Sequence, residues 1–476
     1  MRSNHIPKAE RKKILLLCDD LRMNSGIATM AREFVTNLAH RYNWFQLGAA
    51  LKHPEVGKVF DLSKAVNDRI GIDDADVKVM PNNGYGNSTQ IRQIMREQKP
   101  DAIYIFTDPR YWVWLFEIER EIRTEIPIFW LNIWDDYPAP MYNKNFYDSV
   151  DLLMGISKQT VNINKLVLGD KAKDKVIEYV PHGIDEKTFF PITADSPLYP
   201  QLQEFKSKTI PVATDFIVYF NSRNIHRKRP GDVMLAYKLF CDKIGAESKR
   251  TALVMHTEAS NPHGTDLRAC KAALCPDENV FFSEAKITPE QMNFMYNMAD
   301  VTMLISSNEG WGLSLTESMM CGTMIIGAVT GGMQDQMRFT DKKGNWIDFT
   351  ADFPSNHRGT YKNCGEWAVP VFPSNISLAG SPQTPYIFDD RVSPEDAADA
   401  LYRVYKMLPS ERVSKGLKGH EWVTSDESNM SSLNMCNRID ECMQKAFEEF
   451  VPRERFEVIK VEDSDDKVVK HKLIGY

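Results

Sequence analysis

A chain of 476 residues with 43% hydrophobic and 26% charged residues is too long for one ordinary core, so two domains of roughly 200 residues each are expected. Its net charge of −7 excludes a general nucleic-acid coat but leaves room for a local basic groove. Eight cysteines without a Cys-x-x-Cys pair imply reduced, buried thiols and a cytoplasmic setting.

The N-terminus is basic (Arg2, Lys8, Arg11, Lys12, Lys13), but the apolar run that follows, Ile14 to Cys18, is too short for a signal peptide and meets Asp19-Asp20. No run approaches the roughly 18 apolar residues of a membrane helix. ILLLC (14–18) reads as a buried parallel strand. A loop and a helix follow, with Asn24 or Ser25 as cap and Ile27, Met30, Ala31, Phe34, Val35, Leu38 and Ala39 on one face. AIYIF (102–106), IFWLNI (128–133), DLLMGI (151–156) and VIEYV (176–180) are further strands, and a helix over 91–98 ends at Lys99-Pro100. This alternation predicts a parallel α/β domain over residues 1–195. The proline-bearing stretch 192–211 reads as a loose interdomain linker. A second α/β series over 196–430 contains DFIVYFNS (215–222), TALVMHT (251–257), NVFFSE (279–284), DVTMLISS (300–307) and TMIIGAV (323–329). Thr288-Pro289-Glu290-Gln291 and Ser393-Pro394-Glu395-Asp396 are helix starts. An aromatic-rich insertion over about 340–390 lacks periodicity and is expected to be docked. Residues 431–476 should supply a helix that returns to the first domain, and then a charged tail that frays.

The stretch SSNEGWGLSLTESMMCGTMIIGAVTGG (306–332) carries the chemistry. A strand ends at Ser307, a glycine-containing loop follows, and a helix starts near Ser314 to Thr316. Loops at carboxyl ends of strands are where open α/β sheets bind ligands, and a helix N-terminus there attracts anions. Glu309 and Glu317, eight positions apart, can accept hydrogen bonds from sugar hydroxyls, or simply cap the loop and favour the helix dipole.

These residues resemble the E-x7-E signature of the large retaining GT-B glycosyltransferase family that includes sucrose-phosphate synthases and bacterial mannosyltransferases. FNSRNIHRKRPGDVMLAY (220–237) resembles its G-R-x-x-x-x-K-G motif at Arg223 and Lys228, and YVPHGIDEKTFFP (179–191) its I-P-N-G-V-D motif. The resemblance implies two facing Rossmann-like domains, the first for the acceptor and the second for a nucleotide-sugar donor, with a uridine diphosphate sugar as the expected co-substrate and no cofactor or metal. It implies that Arg223 and Lys228 neutralise the departing diphosphate, that Glu317 holds the ribose and Glu309 the sugar, and that backbone around Gly312, Leu313, Ser314 and Leu315 faces sugar and phosphates. Gly26 would admit backbone to the diphosphate from the other domain, and the base would lie near Ser283 to Ile287.

The chain departs from the family pattern after the fourth N-terminal strand, where a histidine is usual and NIWDDYPAP (132–140) offers Asp135 or Asp136. His182 stands for the usual asparagine and is expected to order the interdomain edge. A dinucleotide oxidoreductase is disfavoured because no G-x-G-x-x-G follows a strand. A non-catalytic sugar-nucleotide binder is disfavoured by the retained charged residues. The segment from Asn308 through 366–390 also looks like glycosyltransferases of T4-type tailed phages and related viruses, which implies a host-cytoplasm enzyme whose acceptor is 5-hydroxymethylcytosine in duplex DNA. Polysaccharide, lipid and protein acceptors remain alternatives. Acceptor-side candidates are Tyr85 in PNNGYGNS (81–88), Asp108 and Tyr111 in DPRYW (108–112), Asp136, the insertion, and the basic residues Lys8, Arg11, Lys12 and Lys13.

Overall fold

The computed structural model describes residues 4–51, 55–353, 355–428, 430–454, 456–461 and 470–475. In the first half, β1 (Lys12–Asp19), β2 (Tyr42–Leu51), β3 (Phe60–Asp61), β4 (Val77–Asn83), β5 (Ala102–Ile105), β6 (Ile128–Asn132), β7 (Leu152–Gly155) and β8 (Val176–Tyr179) form one sheet, ordered β3-β4-β2-β1-β5-β6-β7-β8. All neighbours run parallel except β3 and β4. Helix α1 (Gly26–Leu38) begins at Ser25, whose hydroxyl accepts from the Ala28 amide, so Ser25 and not Asn24 is the cap. Its apolar face buries Phe34 against Trp44, Tyr104 and Phe106.

β2 and β4 escape the periodicity reading. In β2 the polar Gln46 is fully buried because its amide is satisfied: it accepts from the Leu21 amide and donates to Asp19 O at 3.0 and 2.8 Å. A buried strand carrying such a residue loses the apolar run by which parallel strands are recognised.

The stretch 192–211 is not a loose linker. It contains helix α2 (Tyr199–Thr209), with Leu202 and Ile210 buried and Phe205 against Phe294 at 5.6 Å. Pro197 lies before the helix and Pro200 in its first turn, where a missing amide costs nothing, and Pro211 follows the helix end.

The second sheet is parallel, ordered β11-β10-β9-β12-β13-β14, from β9 (Phe216–Asn221), β10 (Thr251–His256), β11 (Val280–Ser283), β12 (Val301–Leu304), β13 (Met324–Ala328) and β14 (Ala368–Val371). β14 comes from the insertion, which also forms the antiparallel hairpin β15 (Asn375–Ser381) and β16 (Thr384–Arg391). Its aromatics dock it: Trp346 and Trp367 both pack on Trp422, and Lys158 lies 3.8 Å over the Trp346 ring.

Helix α3 (Leu313–Met320) follows β12, and α4 (Ser432–Glu449) packs on the first sheet's helical layer. There Ser432 donates to Glu33, Tyr42 to Asp440, and Phe447 meets Phe129 at 5.0 Å. The charged tail carries a further antiparallel pair, β17 (Phe456–Val461) and β18 (Lys470–Gly475), where fraying was expected.

Candidate functional site

Both sheets direct the carboxyl ends of their strands to one region. From the second sheet, β12 runs into the turn 305–312 and then α3. The turn is closed by steric economy. A Cβ at Gly331 would lie 1.9 Å from Glu309 O, and one at Gly310 would lie 2.9 Å from Ile133 O of the first domain. Gly331 also adopts a φ of +51°, a region that favours glycine. The Gly332 amide donates to Glu309 O at 3.0 Å. These contacts hold Glu309 against both domains.

The Glu309 carboxylate is buried and forms an ion pair with Lys228, and Arg227 approaches at 3.6 Å while donating to Asn308 O at 2.9 Å. Burial pushes the acid up, but Lys228 and Arg227 outweigh it and hold it below the usual carboxylate range. The same burial, with Arg227 beside it, pulls Lys228 down to about 8 despite Glu309. Arg223 is exposed, and no ion pair joins it to Glu309 among the described residues. Arg227, four positions later in the same basic loop, is therefore the arginine that meets Glu309, a contact the sequence did not signal, whereas the family spacing names Arg223 for the diphosphate.

Glu317, on α3, accepts from the Tyr296 hydroxyl at 2.5 Å, and Tyr296 in turn accepts from Asn221 at the end of β9. Burial raises its carboxyl above the usual range, partly offset by Tyr296. Gly312 caps α3 from a φ of +91°, followed by Leu313, Ser314 and Leu315. Ser283 ends β11 and bonds His256 at 3.0 Å, whereas Ile287 packs against the cluster containing Leu202 and Tyr296.

From the first domain, Gly26 opens α1, and a Cβ there would touch Leu313 at 3.5 Å, so the N-termini of α1 and α3 face one another. Asp19 accepts from Ser25 at 2.7 Å beside them. Asp135 and Asp136 follow β6. Burial raises both acids, Asp136 further because Asp135 is its neighbour, and Arg227 opposes the rise in each. Asp135 also feels Glu309 and Lys228, which brings Arg227, Lys228, Glu309 and Asp135 into one electrostatic cluster across the domains. His182 is buried between Phe106 and Trp311, one from each domain, and burial lowers it to about 3, so it is neutral.

Tyr85 and Tyr111 stack with ring centroids 4.3 Å apart and planes 5° apart, and Tyr111 is 50% exposed. Asp108 is engaged: its carboxylate accepts from Arg110, whose guanidinium lies 5.2 Å from the Trp134 ring. The basic N-terminus does not join this surface. Lys12 and Lys13 begin β1, at the end of the strand opposite Asp19. Arg11 pairs with Asp74, Lys8 with Asp76, and Lys12 lies over Phe447.

Two facing parallel α/β domains with converging strand ends define the GT-B fold. Residues 202–353, within the second domain, match the family Glycosyl transferases group 1. The whole fold is similar to Anabaena HepE in complex with UDP and glucose (TM-score 0.63, 13% identity, covering 91% of this chain and 100% of that one). It is also similar to the sucrose-phosphate synthase of Thermosynechococcus elongatus (TM-score 0.62, 13% identity, covering 92% and 100%). A third similar structure is described as trehalose-6-phosphate from E. coli bound with UDP-2-fluoro glucose (TM-score 0.58, 12% identity, covering 93% and 100%). No curated protein sequence matches the chain. Among the described residues no helix is long and apolar enough to cross a membrane.

Proposed function

We propose that this chain is a retaining glycosyltransferase that moves a hexosyl or pentosyl group from a nucleoside diphosphate, most readily uridine diphosphate, to an acceptor hydroxyl. The observation that carries this reading is the buried Lys228–Glu309 pair with Arg227 beside it, set where the N-termini of α1 and α3 face each other. A departing diphosphate gains negative charge as the glycosidic bond breaks. Fixed cations and helix N-termini aimed at it lower that barrier without a metal ion. Glu309, kept ionised, accepts hydrogen bonds from donor-sugar hydroxyls, and Glu317 does so from the ribose. Lys228, with Arg227 or Arg223, takes the phosphates. The bound uridine nucleotides of the similar structures support the choice of base. Asp135, or Asp136 beside it, faces the acceptor.

For the acceptor we propose 5-hydroxymethylcytosine in DNA. An unstacked base reaches a two-domain cleft, and the half-exposed Tyr111 offers it a stacking face. The test incubates the protein with UDP-sugars and a panel of acceptors, read by mass spectrometry. Sugar transfer to hydroxymethylated but not unmodified DNA, weakening with salt, is expected. Modification of a glycan, lipid or protein instead moves the acceptor to that class, and failure to split any nucleotide sugar removes the glycosyl-transfer reading itself.

A further inference from the structure

The β15–β16 hairpin belongs to the second domain by sequence but is bonded to both. On one edge the Phe388 amide donates to Tyr137 O at 2.6 Å, Tyr386 donates to Ala139 O at 3.3 Å, and Tyr142 donates to Tyr386 O at 3.1 Å. These partners directly follow Asp135 and Asp136. At its base the hairpin meets the donor turn. Phe388 O accepts from Asn308 at 2.9 Å, and the Asp390 amide donates to Ser307 O at 3.1 Å. Asp390 itself is buried and accepts from Thr330, next to Gly331, at 2.7 Å.

Asp389 has the most telling contacts. One oxygen accepts from Ser307 and Asn308, both at 3.2 Å, and the other meets Arg229 at 3.1 Å. Asn308 is the chain neighbour of Glu309, and Arg229 is the neighbour of Lys228. A single carboxylate therefore ties together the two backbones that carry the buried ion pair. It touches neither member of that pair.

Resting on the glycosyl-transfer reading, we propose that Asp389 is a positioning residue for Lys228 and Glu309, and that the β15–β16 hairpin clasps the Asp135–Asp136 loop to the donor turn at a fixed spacing. A group that reacts only at a set distance loses rate when its support loosens, even where binding persists.

The test uses the full chain with Asp389→Ala and Asp389→Asn, and Leu378→Ser, an exposed hairpin position, as control. Hydrogen exchange of the protein alone follows the Gly332 amide, bonded to Glu309 O, and the Phe388 amide, bonded to Tyr137 O. In Asp389→Ala both should exchange at least about tenfold faster, with Asp389→Asn between it and the control. UDP-glucose splitting should lose about tenfold or more in kcat, while the KM for UDP-glucose and UDP affinity by calorimetry stay within about threefold. Faster exchange at Phe388 alone, or a rise in KM with kcat unchanged, overturns the proposal. A wild-type protein that splits no nucleotide sugar removes the glycosyl-transfer reading, and the exchange data still decide whether the clasp exists.

Discussion

Glu309 and the Asp135–Asp136 pair are acids of the same cleft, yet their surroundings drive them in opposite directions. Glu309 is supplied by the second domain with Lys228 in direct contact and Arg227 near, and is held below the usual carboxylate range. The aspartates, supplied by the first domain, are lifted by burial, Asp136 further by Asp135 beside it, and Arg227 opposes the rise without cancelling it. Burial is common to both places, so the difference lies in whether a cation stands within contact. One side of the cleft keeps a fixed negative group among positive ones, which the proposed function gives to the donor. The other keeps acids raised by burial, which the proposed function gives to an acceptor hydroxyl.

Lys228→Ala attacks that contrast most directly. Glu309 then keeps only Arg227, and its carboxyl should rise toward the behaviour of the aspartates. Turnover should fall about 100-fold or more, measured as UDP-sugar splitting; near-normal turnover in a folded variant would place the diphosphate cradle elsewhere. Arg227→Ala and Arg223→Ala, assayed beside it, decide which arginine serves the phosphates.

The two glutamates sharpen the comparison within the donor side. If Glu309 acts on the sugar as proposed, Glu309→Gln should lower turnover about tenfold or more and leave UDP affinity within about threefold. Glu317→Ala should weaken UDP binding by about tenfold, since ribose contacts act in ground and transition states alike. Calorimetry with UDP decides, and a reversed pattern exchanges the two assignments.

The pH profile follows from Lys228. Lowered to about 8, it is charged below that value and neutral above, so kcat/KM should fall as pH rises through about 8. Lys228→Arg retains a cation throughout and should abolish that limb; an unchanged profile assigns the limb to another group. Tyr111→Ala removes the exposed face of the aromatic stack and should raise the acceptor KM by about 3- to 10-fold with donor KM unaltered. Unchanged acceptor kinetics would move the acceptor away from the Tyr85–Tyr111 face. The smallest effect is expected from excess chelator, which should alter turnover by less than about threefold; loss of activity restored only by Mg²⁺ or Mn²⁺ contradicts a cradle of protein charges alone.

Sequence alone determined the parallel α/β character and most of the strands, and it named Glu309, Glu317 and Lys228 as candidates, of which folding pairs Lys228 with Glu309. Such features are local: apolar runs between loops set strands, and glycine with acid at fixed spacing sets the turn before α3. Tertiary structure decided what depends on distance through space. It put Arg227 beside Glu309, since a basic loop of four cations does not reveal which of them reaches that carboxylate. It buried Gln46 in β2 by supplying partners from another loop, and folded α2 where prolines read as linker. It also removed Lys8, Arg11, Lys12 and Lys13 from the cleft, because a parallel strand sends its two ends to opposite faces of the domain. The Asp389 contacts belong to the same kind: an Asp-Asp pair at the end of an unperiodic insertion becomes informative only when folding sets it beside Asn308 and Arg229, more than 80 and 150 residues away along the chain.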